Sequence, residues 1–267
     1  MPTKASKSEH KILLGVRPNS KVRFEILHED ADVIVINKPA GLVTQPGKGH
    51  SADSLLNGLF ALHGKLLHNL GTRRDFGLLH RLDKDTSGLL VVAKTPSAYD
   101  QLRRDFEARL IDKEYIAIVR GIPNPRKGVI QARLKESQAP GPDGEFIKKV
   151  VISKQGQEAV SAYDVTSAVE SPVPCAVVRV DIKTGRLHQI RAHMMFQGAT
   201  VCGDLLYTLP GIDPRDPSMP RAPRLCLHAA RLGFKQPTGK NAGKWVHYEA
   251  PLPQDLAAFA AKLGLKT

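Results

Sequence analysis

The chain has 267 residues, with 39 Lys and Arg against 26 Asp and Glu, a formal net charge of +13. With 42% hydrophobic and 24% charged residues it has the composition of a globular protein with a sizeable core, which excludes a disordered or collagen-like chain. Apolar runs such as residues 89–93 fall far short of the roughly 20 residues that cross a bilayer. The Lys-rich start lacks the apolar segment of a secretory signal, and Cys175, Cys202 and Cys226 form no C-x-x-C pair, so a cytoplasmic protein without a disulfide framework or a zinc site is expected. A cationic surplus of this size favours a polyanionic partner, nucleic acid foremost, because each neutralised phosphate releases counterions. Aromatic residues make up only 5% of the chain, which argues against a base-stacking sheet.

In chain order, residues 1–21 are polar, basic and aperiodic and read as a tail. Residues 32–37 (DVIVIN) form a β-branched run stopped by Lys38-Pro39, and residues 78–83 and 89–94 read as two further strands. Thr95-Pro96 supplies an N-cap and an N1 proline. Tyr99, Leu102, Phe106 and Leu110 then follow at spacings of three and four, which predicts an amphipathic helix. Residues 113–120 alternate as a strand, and residues 121–145, Pro-rich at first with Arg126 and Lys127, read as an exposed excursion. Strands are expected at 146–152, 159–164 and 176–182. Leu187, Ile190 and Met194 mark one face of a short helix closed by Gly198, with His188, Arg191 and Met195 opposite. Five prolines within 208–224 forbid regular structure there, and Leu256, Phe259 and Leu263 mark a last helix over 254–262. The sum is an α+β domain.

Two polar clusters stand in apolar surroundings. The first is HRLDKDTSG at 80–88, in which unpaired charges between core segments must face a cleft, unless the run is a polar turn shaped by Asp85 or Thr86. The second is TGRLHQIRAH at 184–193, where a strand passes into a helix. His188 and His193 are five residues apart, which suits zinc poorly, whereas Arg191 beside a carboxylate would keep that acid ionised, making Asp83 and Arg191 a plausible pair.

These runs, together with FEILHEDADVIVINKPAGLVTQPG at 24–47, KEYIAIVRG at 113–121 and RLCLHAARLGF at 224–234, resemble the RluA-type pseudouridine synthases in order and spacing. The resemblance implies a pseudouridine synthase-like catalytic fold: a mixed, mostly antiparallel sheet with flanking helices and loops around a central cleft. It implies isomerisation of chosen uridines in structured RNA, ribosomal or transfer, by detaching, turning and rejoining the base, with no cofactor and no metal. By the same resemblance Asp83 is the essential acid and Arg191 its basic partner. Tyr115 packs against the uracil and has been suggested to help remove the C5 proton, and Arg81 enters the RNA stack as the target flips out. His80, Thr86, Arg186, His188, Gln189 and Ile190 of the same motifs are expected to line the substrate.

The expected organisation is a flexible basic tail over 1–23 and a catalytic domain over 24–267, without the RNA-binding module many relatives carry ahead of it. RNA choice is then expected from the tail and from 121–145 and 208–224, in a monomer with no obligate protein partner. Two other readings stay open: an RNA-binding protein that kept the fold and lost the chemistry, and a glycosidase using Asp83 and Asp85 as a carboxylate pair.

Overall fold

Two short apolar runs set one part of the core. β2 (Val33–Lys38) and β3 (Ser87–Ala93) are antiparallel neighbours, and nine of the ten residues in VIVIN and LLVVA are aliphatic or small, so they are buried on both faces. The computed structural model describes residues 15–140, 146–213 and 216–267. Around this pair runs a continuous sheet that adds β1 (Glu25–Glu29), β4 (Asp112–Arg120), β5 (Lys127–Pro140), β6 (Phe146–Ile152), β7 (Gln157–Val169), β8 (Cys175–Ile182), β9 (Thr200–Val201), β10 (Leu227–Lys235) and β11 (Trp245–Glu249). Its order is β1, β2, β3, β10, β4, β8, β7, β5, β6, with β11 on β10 and β9 on β4. Among the described residues the β3–β10 pair is parallel and the other pairs are antiparallel. The mixed, mostly antiparallel α+β sheet expected from the sequence is therefore present.

The parallel pair demands close approach. Gly88 has φ +114°, and a Cβ there would stand 2.2 Å from the carbonyl oxygen of Ala229 across the pair, so only glycine fits. Beside it, Ser87 Oγ lies 2.9 Å from His228 Nδ1, and His228 Nε2 lies 3.1 Å from the Ala250 carbonyl. A buried imidazole with one acceptor and one donor so matched is neutral.

The helices are α1 (Leu55–Leu70), α2 (Pro96–Glu107), α3 (Gln189–Phe196) and α4 (Gln254–Lys262). α2 begins as expected, with the Thr95 hydroxyl accepting from Ala98 N–H and Pro96 at its first position; Tyr99 and Leu102 are buried. Leu110 lies beyond the helix and is 48% exposed, because the chain turns at Arg109 (φ +60°). α4 buries Leu256 and Phe259.

Three expectations are corrected. Residues 78–83 are not a strand: Leu78 makes one bridge to Val92 and the chain then leaves the sheet in an extended loop. The excursion over 121–145 is largely β5, paired with β7 over residues 127–134 and with β6 over 134–140; its alternation was masked by interleaved charges. Leu187 does not share the face of Ile190 and Met194 but packs with Met195 in a small second core of Leu134, Val150, Ala159, Ala192 and Tyr207. α1, unassigned from sequence, is announced by Ser54 and Asn57, which cap its start reciprocally. Of the stretch read as a tail, residues 1–14 lie outside the described residues. The part from Gly15 onward lies against α1, with Asn57 Nδ2 donating to Arg17 O and Asn19 Nδ2 to Ala52 O.

Candidate active site

The loop after Leu78 would swing freely unless tied down, and three side chains tie it. The Thr44 hydroxyl donates to Leu82 O (2.8 Å) and accepts from Leu82 N–H (3.2 Å). Lys38 Nζ, fully buried, donates to the carbonyls of Pro39 (2.9 Å), Leu42 (2.7 Å) and Lys84 (3.1 Å), and burial pushes its pKa down to about 7. Gly41 N–H adds a bond to Lys84 O. Both neighbours of Asp83 are thus anchored, and its carboxylate is left 26% exposed at the loop's turn.

The second motif meets this loop from the other side. His188 caps α3 in the left-handed region (φ +49°), which turns residues 184–188 back across the cleft. Arg191, on α3, forks onto Asp204, with Nε 2.6 Å from Oδ2 and Nη2 2.9 Å from Oδ1, and extends Nη1 to within 3.4 Å of Asp83 Oδ2. Burial alone would depress its pKa, but the bonds to Asp204 and the charges of Asp204 and Asp83 outweigh that and raise it. The expected Asp83–Arg191 pair is present, but as the weaker arm of a triad. Asp204 carries the bidentate bond, and its side chain is 0% exposed.

A second line of contacts reaches Asp83. Val150 N–H donates to the Tyr207 oxygen at 2.7 Å, and the same oxygen lies 3.1 Å from His188 Nδ1. On the other side of the ring, His188 Nε2 faces Asp83 Oδ2 at 3.8 Å. Burial lowers the His188 pKa, an effect the Asp83 charge offsets only in part, so the ring is neutral at pH 7.

Nine of the ten residues expected at the site line one cavity of ≈220 Å³: Arg81, Asp83, Thr86, Tyr115, Arg186, His188, Gln189, Ile190 and Arg191. Tyr115, on β4, is 7% exposed, and burial followed by the charge of Asp83 pushes its pKa up, so the phenol keeps its proton. Arg81 is exposed at the rim, and Thr86 Oγ1 is buried with no hydrogen-bond partner among the described residues. His80 falls outside this cavity: its Nε2 accepts from Val91 N–H and its ring packs on Phe106, and burial with the charge of Lys113 pushes its pKa down to about 3.

Gln189 spends its amide internally, accepting from Thr184 Oγ1 and Arg186 N–H and donating to Val160 O and Ser161 Oγ. Ile190 is buried in the core. Both shape the motif, leaving no free polar group for a substrate. Asp85 is absent from the cavity walls. Sequence reasoning missed Asp204, Tyr207, Lys38 and Thr44; an acid inside the apolar run VCGDLLY was the available signal for the first two.

A family model described as RNA pseudouridylate synthase matches residues 32–195, which hold both motifs and Tyr115. This chain belongs to the RNA pseudouridylate synthase family. The synthase is 35% identical over 240 residues to YlyB, an uncharacterized RNA pseudouridine synthase of Bacillus subtilis, covering 90% of this chain and 73% of that one. It is also 35% identical to the ribosomal large subunit pseudouridine synthase D of Blochmanniella floridana, over 91% of this chain and 73% of the relative. Among solved structures it superposes on human RNA pseudouridylate synthase domain containing 4 with TM-score 0.67 and 27% identity, covering 91% and 94% of the two chains. The synthase is thus an isomerase of the RluA-like kind that its motifs announced, with the pseudouridine synthase fold. No helix among the described residues is long and apolar enough to cross a membrane.

Proposed function

We propose that the enzyme isomerises a uridine within structured RNA, with Asp83 acting at the ribose carbon of the glycosidic bond. The observation that carries this reading is the position of the Asp83 carboxylate: partly exposed, in a cavity of ≈220 Å³ opposite Tyr115, held by the Arg191 guanidinium and flanked by neutral His188. A cavity of that size has room for one base and its sugar and none for a stacked helix, which supports extrusion of the target nucleotide with Arg81 at the rim taking its place. The raised pKa of Tyr115 favours a ring that packs on the uracil and a hydroxyl that donates, over a resident phenolate that removes the C5 proton. Arg191 and His188 act as positioning groups, and Arg186 and Thr86 as cavity walls.

Ribosomal RNA is the substrate class to test first, since relatives such as that of Blochmanniella floridana carry the large ribosomal subunit in their names; transfer RNA is the comparison. The net charge of +13 suits either. The test is tritium release from RNA labelled at uridine C5, because C5 loses its hydrogen only on becoming the glycosidic carbon. Wild-type enzyme is expected to release tritium from ribosomal RNA of a strain lacking the protein, and Asp83→Asn to release none while binding RNA within a few-fold of wild type. Full turnover by Asp83→Asn, or tight binding without release from either RNA class, overturns the reading.

A further inference from the structure

Next to the Asp83 cavity lies a second hollow of ≈450 Å³. The two share Arg81, Tyr115, Ile182, Gly185 and Arg186, so they are contiguous around the Tyr115 ring. The walls of the second hollow carry six cationic side chains, Arg81, Arg103, Arg109, Lys113, Lys183 and Arg186, against one carboxylate, Glu107. That carboxylate is taken by Arg103 at 2.8 Å, and Arg109 is taken by Glu158 outside the hollow at 2.7 Å. Arg81, Lys113 and Lys183 have no acidic partner among the described residues.

Lys113 is the informative member. It precedes Tyr115 by two residues on β4, so strand alternation puts both side chains on one face of the sheet with their Cα atoms ~7 Å apart. Its ammonium sits 5.4 Å from the centroid of Phe106, close to where a Gly185 side chain would begin (3.9 Å). Nothing anionic among the described residues balances it, and burial together with Lys183 pushes its pKa down to about 8. A protein fold gains nothing from crowding unpaired cations in a half-buried hollow; such an arrangement is stabilised when an anion enters.

We propose that this hollow is a subsite for one backbone phosphate of the substrate RNA, with Lys113 at its floor and Arg81, Lys183 and Arg186 around it, adjacent to the nucleotide whose base lies against Tyr115. The assignment rests on the function proposed above, because its occupant is the RNA of that reaction. The role differs from that of the surface charge in general: it fixes the register of the strand relative to Asp83, which a diffuse positive surface cannot do.

The test is a cycle between one side chain and one phosphate. In the Asp83→Asn background, which stops turnover, binding is measured for RNAs that carry the uridine identified by tritium release and a single uncharged methylphosphonate linkage, moved one position at a time. Lys113→Gln is expected to weaken binding of unmodified RNA by about 10-fold and to lower the slope of log affinity against log salt by about one. With the uncharged linkage at one position within two nucleotides of the target, the same substitution is expected to cost less than twofold; elsewhere the two losses multiply. Lys113→Met, which keeps the aliphatic stem along Phe106, repeats the cycle should the glutamine variant fold poorly. Lys262→Gln, on α4 at the opposite end of β7 from the cleft, controls for net charge and is expected to show no preferred linkage.

Losses that multiply at every linkage, or no loss of affinity in either Lys113 variant, overturn the subsite. Failure of the parent reading appears separately, as absence of tritium release by wild-type enzyme.

Discussion

Arg191 and Asp204 form a buried two-point fork, 2.6 and 2.9 Å, and Asp83 receives only the remaining guanidinium nitrogen at 3.4 Å. The acid proposed to do the chemistry is therefore oriented by an arginine that another acid holds still. Asp204 in turn accepts from Leu206 and Tyr207 N–H, which ties the fork to the start of the 208–224 loop.

Breaking the fork is expected to cost stability as well as rate. Asp204→Asn leaves a guanidinium that is 11% exposed without its main partner, and a loss of about 3–5 kcal/mol is expected by urea unfolding. Asp83→Asn, at a partly exposed carboxylate with one long contact, is expected to cost under about 1 kcal/mol. Equal stability losses in the two variants would contradict the ranking of the two contacts. Arg191→Lys, which keeps the charge and loses the fork, is expected to lower kcat more than it raises KM.

Tyr207→Phe removes the hydroxyl that meets His188 Nδ1. A fall in kcat of about 10-fold with KM within twofold is expected, and the ring nitrogen shifts of His188 should change as its Nδ1 partner is lost. An unchanged nitrogen spectrum would show that Tyr207 only fills the second core.

Lys38→Met strips three carbonyls of a shared donor beside the Asp83 loop. About 2–4 kcal/mol of destabilisation is expected, with a drop in Tm of about 5–10 °C, and kcat should fall because Lys84 is released. A thermally unaltered variant with full kcat would remove the lysine from the account of how the loop is held.

Acid should destabilise the fold before the carboxylates titrate. Burial pushes the pKa of His80 down to about 3 and that of His193 down to about 4, and lowers those of His188 and His228, whereas a histidine in the unfolded chain is near 6.5. Between these values the unfolded chain binds protons the native state does not, so stability falls as pH falls from about 6.5 toward 4. For the protons of His80 and His193 alone the limiting slope is about 2.7 kcal/mol per pH unit. His193→Gln should remove one proton's share, up to about 1.4 kcal/mol per pH unit, in urea titrations at pH 6, 5.5 and 5; a pH-independent midpoint over that range would refute the assignment.

The elements whose periodicity is carried by a single burial environment were legible in the chain. β2, β4, β8, α2 and α4 fall where their apolar spacing places them, and Thr95-Pro96 marks the start of α2. β5 was not legible, because a hairpin arm with one solvated face interleaves Lys135 and Glu136 with its core residues. Residues 78–83 misled for the opposite reason: an apolar stretch can be pinned by Thr44 and Lys38 as securely as by a ladder.

What the sequence by itself determined is the family and the two polar motifs, which bring forward Asp83 and Arg191 as the candidate acid and arginine, since these depend on local order and spacing along the chain. Only the tertiary structure decided which acid Arg191 serves first, that His188 stands between Tyr207 and Asp83, and that Gln189 is spent on the fold. Each of these rests on a contact between segments far apart in the chain, up to the 108 residues that separate Asp83 from Arg191. A hydrogen bond has a direction and a length that spacing along one strand or helix does not encode, so partners brought together by the sheet's crossovers appear only once the sheet has formed.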